Sequence, residues 1–297
     1  MPTEPYSKTL TVLSDRGQPL TATCYVPTDT PAEKLQQAVL IAPATGIKRQ
    51  FYHAFASHLA SHGMGVMTFD NEGIGDSLTC PLAKCDASLI SWGRHDLPAM
   101  LEALQDQFPN ATYHLVGHSA GGQLIGLMPN WKDLSSVFNV ACSSGQIANM
   151  DYPFKAKANL FMNVMIPASN TTLGYTPSHK VGMGEPLPSN VAREWRDWCN
   201  GSGYIKTAFG KTIHTHFYDE FDKPAVWLGF SDDDIANSKN IDDMTRVFTK
   251  MPFEKRMFEP KEFGLKYIGH MGYFSRKTQT KAPALWQMAV DWIDEHG

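Results

Sequence analysis

The chain has 297 residues, of which 42% are hydrophobic and 19% are charged, a composition typical of a folded globular protein and not of a disordered or fibrous one. The 26 basic and 30 acidic residues give a net charge of −4, so no basic excess indicates nucleic-acid binding. No run approaches the ~20 consecutive apolar residues that a membrane-spanning helix needs.

The N-terminal segment and the cysteines indicate where the protein works. Residues Met1–Leu10 are polar and contain no apolar stretch of signal-peptide length. The five cysteines are an odd number and scattered; Cys80 and Cys85 lie five apart with no second close pair, which argues against a zinc ribbon. These features predict a cytoplasmic protein whose cysteines are mostly small core or loop residues.

In the first half of the chain, short apolar runs alternate with helical patterns. An antiparallel hairpin is predicted from Leu10–Val12 and Leu20–Tyr25, which flank the turn signal Asp15-Arg16-Gly17. The elements predicted next, in chain order, are the strand Ala38–Ala42, the helix Phe51–Ser61, the strand Gly65–Phe69, a helix around Leu97–Gln107, the strand Thr112–Val116 and the helix Gly121–Met128.

The second half repeats the pattern after a long interruption. Its predicted elements are the strands Val137–Cys142 and Val226–Gly229, a helix near Met244–Lys250, a strand near Lys255–Glu259 and a closing helix Ala284–Ile293. Near-continuous apolar strands that alternate with helices predict an α/β fold with a mostly parallel sheet covered on both faces. The opening hairpin adds antiparallel strands at one edge.

The interruption runs from about Gln146 to Lys223 and contains several prolines, several glycines and an apolar cluster around Leu160–Ile166. A segment this long between two strands is not typical of a plain loop. We predict that residues 146–223 form a cap over the carboxyl ends of the strands, where open α/β sheets bind ligands. The remaining residues, 1–145 and 224–297, then form the core.

The run Gly117-His118-Ser119-Ala120-Gly121 is a G-x-S-x-G motif between a predicted strand and a predicted helix. A serine on a tight strand-to-helix turn projects its hydroxyl above the sheet, and flanking glycines remove side chains that would clash there. Ser119 is therefore the predicted nucleophile. The alternative interpretation is a glycine-rich turn that only packs a helix on a strand.

A serine hydroxyl is a weak nucleophile and needs a base that is itself oriented by a carboxylate. Of the eleven histidines, His270 lies in the glycine-flanked loop Ile268–Gly272, at the same carboxyl edge of the sheet as Ser119, and is the predicted base. His118, next to the serine, is predicted to pack.

Two histidine pairs have spacings that a metal site also uses. His58 and His62 are four apart on the first helix, but no acidic third ligand is evident, so a solvated helix face is favoured. His214 and His216 are likewise assigned to structure, and no metal site is predicted.

Three adjacent aspartates, Asp232, Asp233 and Asp234, follow the predicted strand that ends near Phe230. Since neighbouring carboxylates repel one another, one interpretation is a merely exposed loop. The end of this strand is also where the partner of the histidine is needed. Asp233 is the predicted acid, and Asp232 is the alternative.

With a serine, an aspartate and a histidine in this chain order, the sequence resembles the α/β-hydrolase family over nearly its whole length. Pro43-Ala44-Thr45-Gly46 is similar to the family's oxyanion loop, with Pro43-Ala44 where His-Gly is usual. The run from Asp70 to Ser77 is similar to the family's D-x-x-G-x-G-x-S loop, with Glu72 where arginine is common.

The acid also has a family pattern, G-x-x-D-p-hydrophobic. Aligning Ile235 with the hydrophobic position selects Asp233, whereas counting three residues from Gly229 selects Asp232. More narrowly, the chain resembles an uncharacterised bacterial branch of serine hydrolases related to serine aminopeptidases. That likeness is carried by Ala44-Thr45-Gly46 with Phe51-Tyr52, Ser231-Asp232-Asp233 and Ile268-Gly269-His270.

The resemblance implies an α/β-hydrolase fold and a serine hydrolase that cleaves a small-molecule ester or thioester without a cofactor. Ser119 would attack the acyl carbon, His270 would take and return the proton, and Asp233 would orient the imidazole. The backbone N–H groups of Thr45 and Ala120 would bind the oxyanion.

Other functions fit the same scaffold. Amidase, peptidase and acyltransferase reactions use the same residues, and a non-catalytic ligand-binding protein is the alternative from another class. The apolar residues of the predicted cap, with Trp195 and Trp198, favour an apolar acyl or alcohol group. The alternative interpretation, which the sequence supports equally, is that these residues form only the cap's own core.

Overall fold

Ten strands occur along residues 5–297, the part of the chain that this computed structural model describes; Met1–Glu4, the start of the polar N-terminal segment, lies outside the described residues. The strands are β1 (Tyr6–Leu13), β2 (Pro19–Val26), β3 (Gln37–Ala42), β4 (Gly65–Phe69), β5 (Thr112–His118), β6 (Leu134–Val140), β7 (Tyr175–Thr176), β8 (Leu187–Pro188), β9 (Ala225–Phe230) and β10 (Phe253–Phe258).

Eight strands form one sheet in the order β1-β2-β4-β3-β5-β6-β9-β10, and β7 pairs with β8 in a separate ribbon. β2 pairs antiparallel with both β1 and β4, and the other neighbours in the large sheet are parallel. This confirms the predicted mostly parallel sheet with an antiparallel hairpin at one edge.

Helices cover both faces of the sheet. They are α1 (His53–Ser61), α2 (Leu89–Ser91), α3 (Leu97–Gln107), α4 (Ala120–Gln123), α5 (Phe154–Leu160), α6 (Ile166–Leu173), α7 (Ser189–Cys199), α8 (Ser238–Thr245), α9 (Arg276–Lys281) and α10 (Pro283–Glu295). Consecutive residues of β3 pack in different cores on opposite faces of the sheet. Leu40 packs in the core that contains α3, and Ile41 packs in the core that contains α1 and α10. Because successive strand side chains point to opposite faces, an apolar strand of this kind needs a helix layer on each side.

Two predicted helices have different bounds in the structure. α4 is only four residues long and is followed by a 3₁₀ turn, because Gly121 and Gly122 are poor helix formers. α8 begins several residues earlier than predicted, since the Asn237 side chain caps it by accepting the N–H of Asn240 at 3.0 Å. The prediction relied on apolar spacing alone and overlooked this cap.

The segment 146–223 contains α5, α6, β7, β8 and α7 and contacts the sheet region at several points. The Tyr218 hydroxyl donates to the carbonyl of Gln123 at 2.6 Å, and the N–H of Glu185 donates to the carbonyl of Gly46 at 2.7 Å. Gly46 lies in the loop that leaves the carboxyl end of β3. The segment is therefore anchored beside that edge, and its action as a cap stays a prediction.

The burial of the cysteines and the lengths of the apolar helical stretches can be compared with the sequence. Cys24, Cys142 and Cys199 are buried, Cys85 is half-buried and Cys80 is exposed. Over residues 5–297, the apolar stretches of the helices all fall short of what crossing a lipid bilayer requires.

A buried ion pair joins the loops that follow β3 and β4. The Arg49 guanidinium contacts the Asp70 carboxylate, and these side chains are 7% and 0% exposed. The same carboxylate accepts the backbone N–H of Arg49 at 2.6 Å and that of Asp76 at 3.0 Å. Asp70 is the first residue of the D-x-x-G-x-G-x-S loop, so its carboxylate ties that loop to the chain just beyond Gly46.

Replacing Arg49 by methionine should cost about 3–5 kcal/mol of unfolding free energy, because the Asp70 carboxylate would stay buried without its cation. The matched control is Lys48→Met, which removes the half-exposed pair of Lys48 with Glu185 at 3.0 Å and should cost at most about 1 kcal/mol. Urea unfolding of both variants measures the difference. Similar losses in both would show that burial of the Arg49 pair contributes nothing.

Candidate active site

Ser119 lies in the tight turn between β5 and α4, at the carboxyl edge of the sheet. Its φ of 49° and ψ of −115° place a residue with a Cβ in a strained backbone region. The turn is held by the Ser119 N–H, which donates to the Val140 carbonyl at 3.1 Å, and by its carbonyl, which accepts the Gly122 N–H at 3.2 Å. The side chain is thereby directed out of both the strand and the helix.

The glycines around Ser119 allow α4 to lie against the sheet. A Cβ on Gly121 would collide with the carbonyl of Ala42 on β3, and one on Gly122 would collide with the Asn139 side chain on β6. Gly121 of the motif, like Gly122 just after it, is therefore required by close packing against the sheet, as the motif predicts for glycines that flank the serine.

His270 lies between Ser119 and Asp233 in one hydrogen-bonded chain. Its Nε2 is 3.1 Å from Ser119 Oγ, although the two residues are 151 positions apart in sequence. Its Nδ1 is 2.8 Å from Asp233 Oδ2. The other Asp233 oxygen accepts the N–H groups of Ile235 at 2.8 Å and Ala236 at 2.9 Å. The structure thus brings together the three side chains that the sequence analysis selected.

The charge on Asp233 determines the tautomer of His270. Burial alone would raise the pKa of this carboxyl, but the charge of His270 and the hydrogen bonds from His270, Ala236 and Ile235 lower it below its usual value. A carboxylate only accepts, so His270 carries its proton on Nδ1. Its Nε2 is then free to accept a proton from the Ser119 hydroxyl.

Asp232, the alternative acid, contacts a different part of the histidine loop. Its carboxylate accepts the backbone N–H groups of Ile268 at 2.8 Å and Gly269 at 3.0 Å. Asp233 therefore contacts the imidazole, whereas Asp232 contacts the backbone that leads into His270. Only the fold separates two adjacent carboxylates in this way.

The two predicted oxyanion donors belong to the loop after β3 and the start of α4. Within residues 5–297, the backbone N–H groups of Thr45 and Ala120 donate to no other residue. The neighbouring Ala44 N–H differs, because it donates to the Tyr52 hydroxyl at 2.9 Å. Thr45 and Ala120 therefore keep a donor for a ligand, and Ala44 does not.

His118 is fully buried and packs against Phe274, with ring centroids 4.8 Å apart. It also makes two hydrogen bonds that sequence reasoning missed. Its Nε2 lies 3.0 Å from the His270 carbonyl oxygen, and its Nδ1 lies 2.8 Å from Tyr52 Oη. No local sequence signal pairs these positions, which are 152 and 66 residues apart.

Three histidines of the two remaining pairs, His58, His62 and His216, make ring contacts. His58 packs against His62, with centroids 4.4 Å apart, and against Trp286, while His216 stacks on Phe209 at 3.8 Å. Among the described residues, no group of three or more histidine, cysteine, aspartate or glutamate side chains is placed to hold a metal ion.

A cavity of about 600 Å³ lies almost entirely within the segment 146–223 and reaches the loop of Asp233 at Ile235. Its walls include Phe161, Met162, Trp195 and Ile235, and the Ile235 N–H is one of the donors to Asp233. Within the described part of the chain, Lys157 is the one charged residue that lines it. The cavity is thus an apolar space that touches the loop of Asp233 at Ile235, and Ser119, His270 and Asp233 are not among its lining residues.

Comparison with known proteins identifies relatives in sequence and in fold. Residues 33–181 match the model of a family described as serine aminopeptidase, S33, and no curated protein matches the chain. A monoglyceride lipase from Saccharomyces cerevisiae is 16% identical with a TM-score of 0.67, and the match covers 100% of this chain and 99% of that one. A highly thermostable carboxyl esterase from Bacillus coagulans is 13% identical with a TM-score of 0.64, covering 98% of both chains.

A third similar structure, dipeptidyl peptidase 4 from Porphyromonas gingivalis, is 13% identical with a TM-score of 0.57. The match covers 99% of this chain and 36% of that longer one. Together these likenesses confirm the predicted α/β-hydrolase fold. Because proteins with different substrates share it, the fold alone does not select the reaction.

The buried state of His118 predicts a pH dependence of stability. Burial and the nearby charge of His270 lower the pKa of His118 to about 3 in the folded chain, against 6.5 for a free histidine. Below pH 6.5 the unfolded chain binds a proton that the folded chain does not. As the pH is lowered from 6.5 towards 3, the free energy of unfolding therefore decreases by up to about 1.4 kcal/mol per pH unit.

His118→Gln removes this proton-binding difference. We expect the variant to be less stable than the wild type at pH 7 and the difference to shrink by about 2–3 kcal/mol at pH 4.5. Urea unfolding at both pH values measures this change. A difference that stays constant would contradict the lowered pKa.

Proposed function

Since this chain belongs to the serine aminopeptidase S33 family of α/β hydrolases, we propose that it is a serine hydrolase that cleaves carboxylic esters or thioesters. The hydrogen-bonded chain from Ser119 Oγ through His270 to Asp233 is the observation that carries the proposal. A hydroxyl, an imidazole in the required tautomer and a buried carboxylate are the groups that acyl transfer to a serine needs.

In the proposed reaction, Ser119 Oγ attacks the acyl carbon while its proton passes to His270 Nε2. The carbonyl oxygen becomes an oxyanion, bound by the N–H groups of Thr45 and Ala120. Collapse breaks the bond to the alcohol or thiol, which leaves with the proton from His270. Water then attacks the acyl-serine with His270 again as the base, releasing the acid and restoring Ser119.

The apolar cavity supports an acyl chain as the group that is recognised. Its volume of about 600 Å³ is within the usual ~300–1,000 Å³ range of small-molecule sites. Within the described residues, no carboxylate lines it to pair with the free amino group of a peptide substrate. We therefore assign the segment 146–223 as a cap that supplies an acyl-binding wall, with Ile235 as its border to the acid.

Turnover of p-nitrophenyl esters and acyl thioesters by single variants tests the assigned roles. Ser119→Ala should fall to background. Asp233→Asn should lower kcat roughly 10³–10⁴-fold because the imidazole loses the carboxylate that fixes its tautomer. Asp232→Asn is the matched control: it should cost less than about tenfold, because an amide oxygen can still accept one of the two loop N–H groups.

Two outcomes would contradict this assignment. Equal background rates for the wild type and Ser119→Ala on esters, thioesters and aminoacyl amides would overturn the proposed function. Loss of turnover in Asp232→Asn with a nearly silent Asp233→Asn would exchange the two acids. A fluorophosphonate probe should label the wild type and not Ser119→Ala, which tests the nucleophile without knowledge of the substrate.

A series of esters of increasing acyl length tests the cavity. Each methylene that enters it should raise kcat/KM about fourfold, corresponding to ~0.8 kcal/mol, until the cavity is full. Ala158→Phe places a ring in the cavity wall and should shift the preference to shorter chains. Ala156→Phe, at an exposed position of α5 outside the cavity lining, should leave the preference unchanged. The same preference in all three proteins would remove the cavity from the proposal.

A further inference from the structure

Two buried side chains, Tyr52 and His118, connect three loops of the proposed site. His118 precedes Ser119 on the nucleophile turn, and its Nε2 lies 3.0 Å from the backbone carbonyl oxygen of His270. On its other side, its Nδ1 lies 2.8 Å from Tyr52 Oη. Tyr52 Oη in turn lies 2.9 Å from the backbone nitrogen of Ala44, in the loop after β3. Both side chains are 0% exposed.

Only one arrangement of protons satisfies all three hydrogen bonds. The His270 carbonyl only accepts, so the proton of neutral His118 must lie on Nε2. His118 Nδ1 then accepts, so Tyr52 must donate its single hydroxyl proton to it. The Tyr52 oxygen is left to accept the Ala44 N–H. The chain therefore runs in one direction, from Ala44 through Tyr52 and His118 to His270.

This chain and one hydrogen bond within the loop after β3 together restrict where the Thr45 N–H points. The Ala44 carbonyl and the Thr45 N–H belong to one planar trans peptide group and point to opposite sides of it. The Ala44 carbonyl accepts the Ile47 N–H at 3.1 Å, while the Ala44 N–H is held by Tyr52. Both polar groups of Ala44 are thus fixed, and the next N–H along the chain is directed by them.

We propose that Tyr52 and His118 are positioning residues that hold the Thr45 N–H in register with Ser119 and His270. The proposal rests on the proposed function, in which Thr45 stabilises the oxyanion. Such a donor acts within a narrow distance range, about 2.7–3.1 Å from the developing charge. A displacement of about 1 Å at a reacting centre lowers rates by roughly a hundredfold. Tyr52 contacts no reacting atom and acts through Ala44.

The chain contains a matched control for the loss of a phenolic hydroxyl. Tyr25 is also buried, at 2% exposure, and its Oη lies 3.2 Å from Nδ1 of His53. Tyr25 and Tyr52 therefore each pair with a histidine ring, but only the Tyr52 pair leads to the loops of the site. Tyr25→Phe and Tyr52→Phe each remove one oxygen from such a pair.

The experiment compares kcat and KM of the wild type, Tyr52→Phe and Tyr25→Phe on an ester and on its thiono analogue, in which sulfur replaces the carbonyl oxygen. Sulfur is a weak hydrogen-bond acceptor, so the thiono substrate gains little from the oxyanion donors. The kcat on the ester divided by the kcat on the thiono analogue therefore reports how well those donors are placed. Tyr52→Phe should lower kcat on the ester about 10- to 100-fold, leave KM within about twofold and lower the ratio by a similar factor. Tyr25→Phe should leave all three unchanged.

The outcomes separate this proposal from the proposed function. If turnover depends on Ser119 but Tyr52→Phe keeps the wild-type ratio, the positioning role is overturned and the hydrolase proposal stands. If the wild type is neither labelled by a fluorophosphonate nor active above Ser119→Ala, both fail. Should Tyr52→Phe not fold, His118→Leu removes both hydrogen bonds of His118 and breaks the same chain one step further on. It should lower the ratio in the same direction, and an unchanged ratio overturns the proposal.

Discussion

The hydrogen bond between His270 and the buried carboxylate of Asp233 is the interaction on which the rest of the site depends. A fully buried charge is stable only when its oxygens are satisfied, and Asp233 accepts from the imidazole and from two backbone N–H groups. That requirement fixes the loop after β9, the tautomer of His270 and so the atom that faces Ser119. The adjacent Asp232 holds the backbone before His270, so two neighbouring carboxylates restrain one histidine from two sides.

Much of this arrangement followed from the order of elements. Parallel strands bring their carboxyl ends to one edge, so residues after β3, β5 and β9 were expected to meet even though they are far apart in sequence. The glycines beside Ser119 similarly reported the close approach of α4 to the sheet. The choice between Asp232 and Asp233 was different, because adjacent residues have the same position in any pattern and only the loop backbone separates them.

The hydrogen bonds of Tyr52 and His118 were beyond sequence reasoning for another reason. In the sequence, Tyr52 lies at the start of a predicted helix and His118 lies beside the nucleophile. Packing against neighbouring residues is a sufficient reason for each of them. Their partnership depends on the parallel pairing of β3 with β5, which places the loops that follow these two strands side by side. The beginning of α8 shows the opposite case, since the sequence contains the capping residue Asn237, which a prediction from apolar spacing alone does not use.

The backbone of Ser119 has a thermodynamic consequence for the whole chain. A positive φ at a residue with a side chain costs on the order of 1–3 kcal/mol, a sizeable part of the net stability of an ordinary domain. Glycine would adopt the same turn without that penalty, so a protein that needed this segment only for packing would gain by giving up the hydroxyl. At this position the serine hydroxyl is kept although it lowers the free energy of unfolding. The packing of the helices and the sheet around the turn must offset that loss.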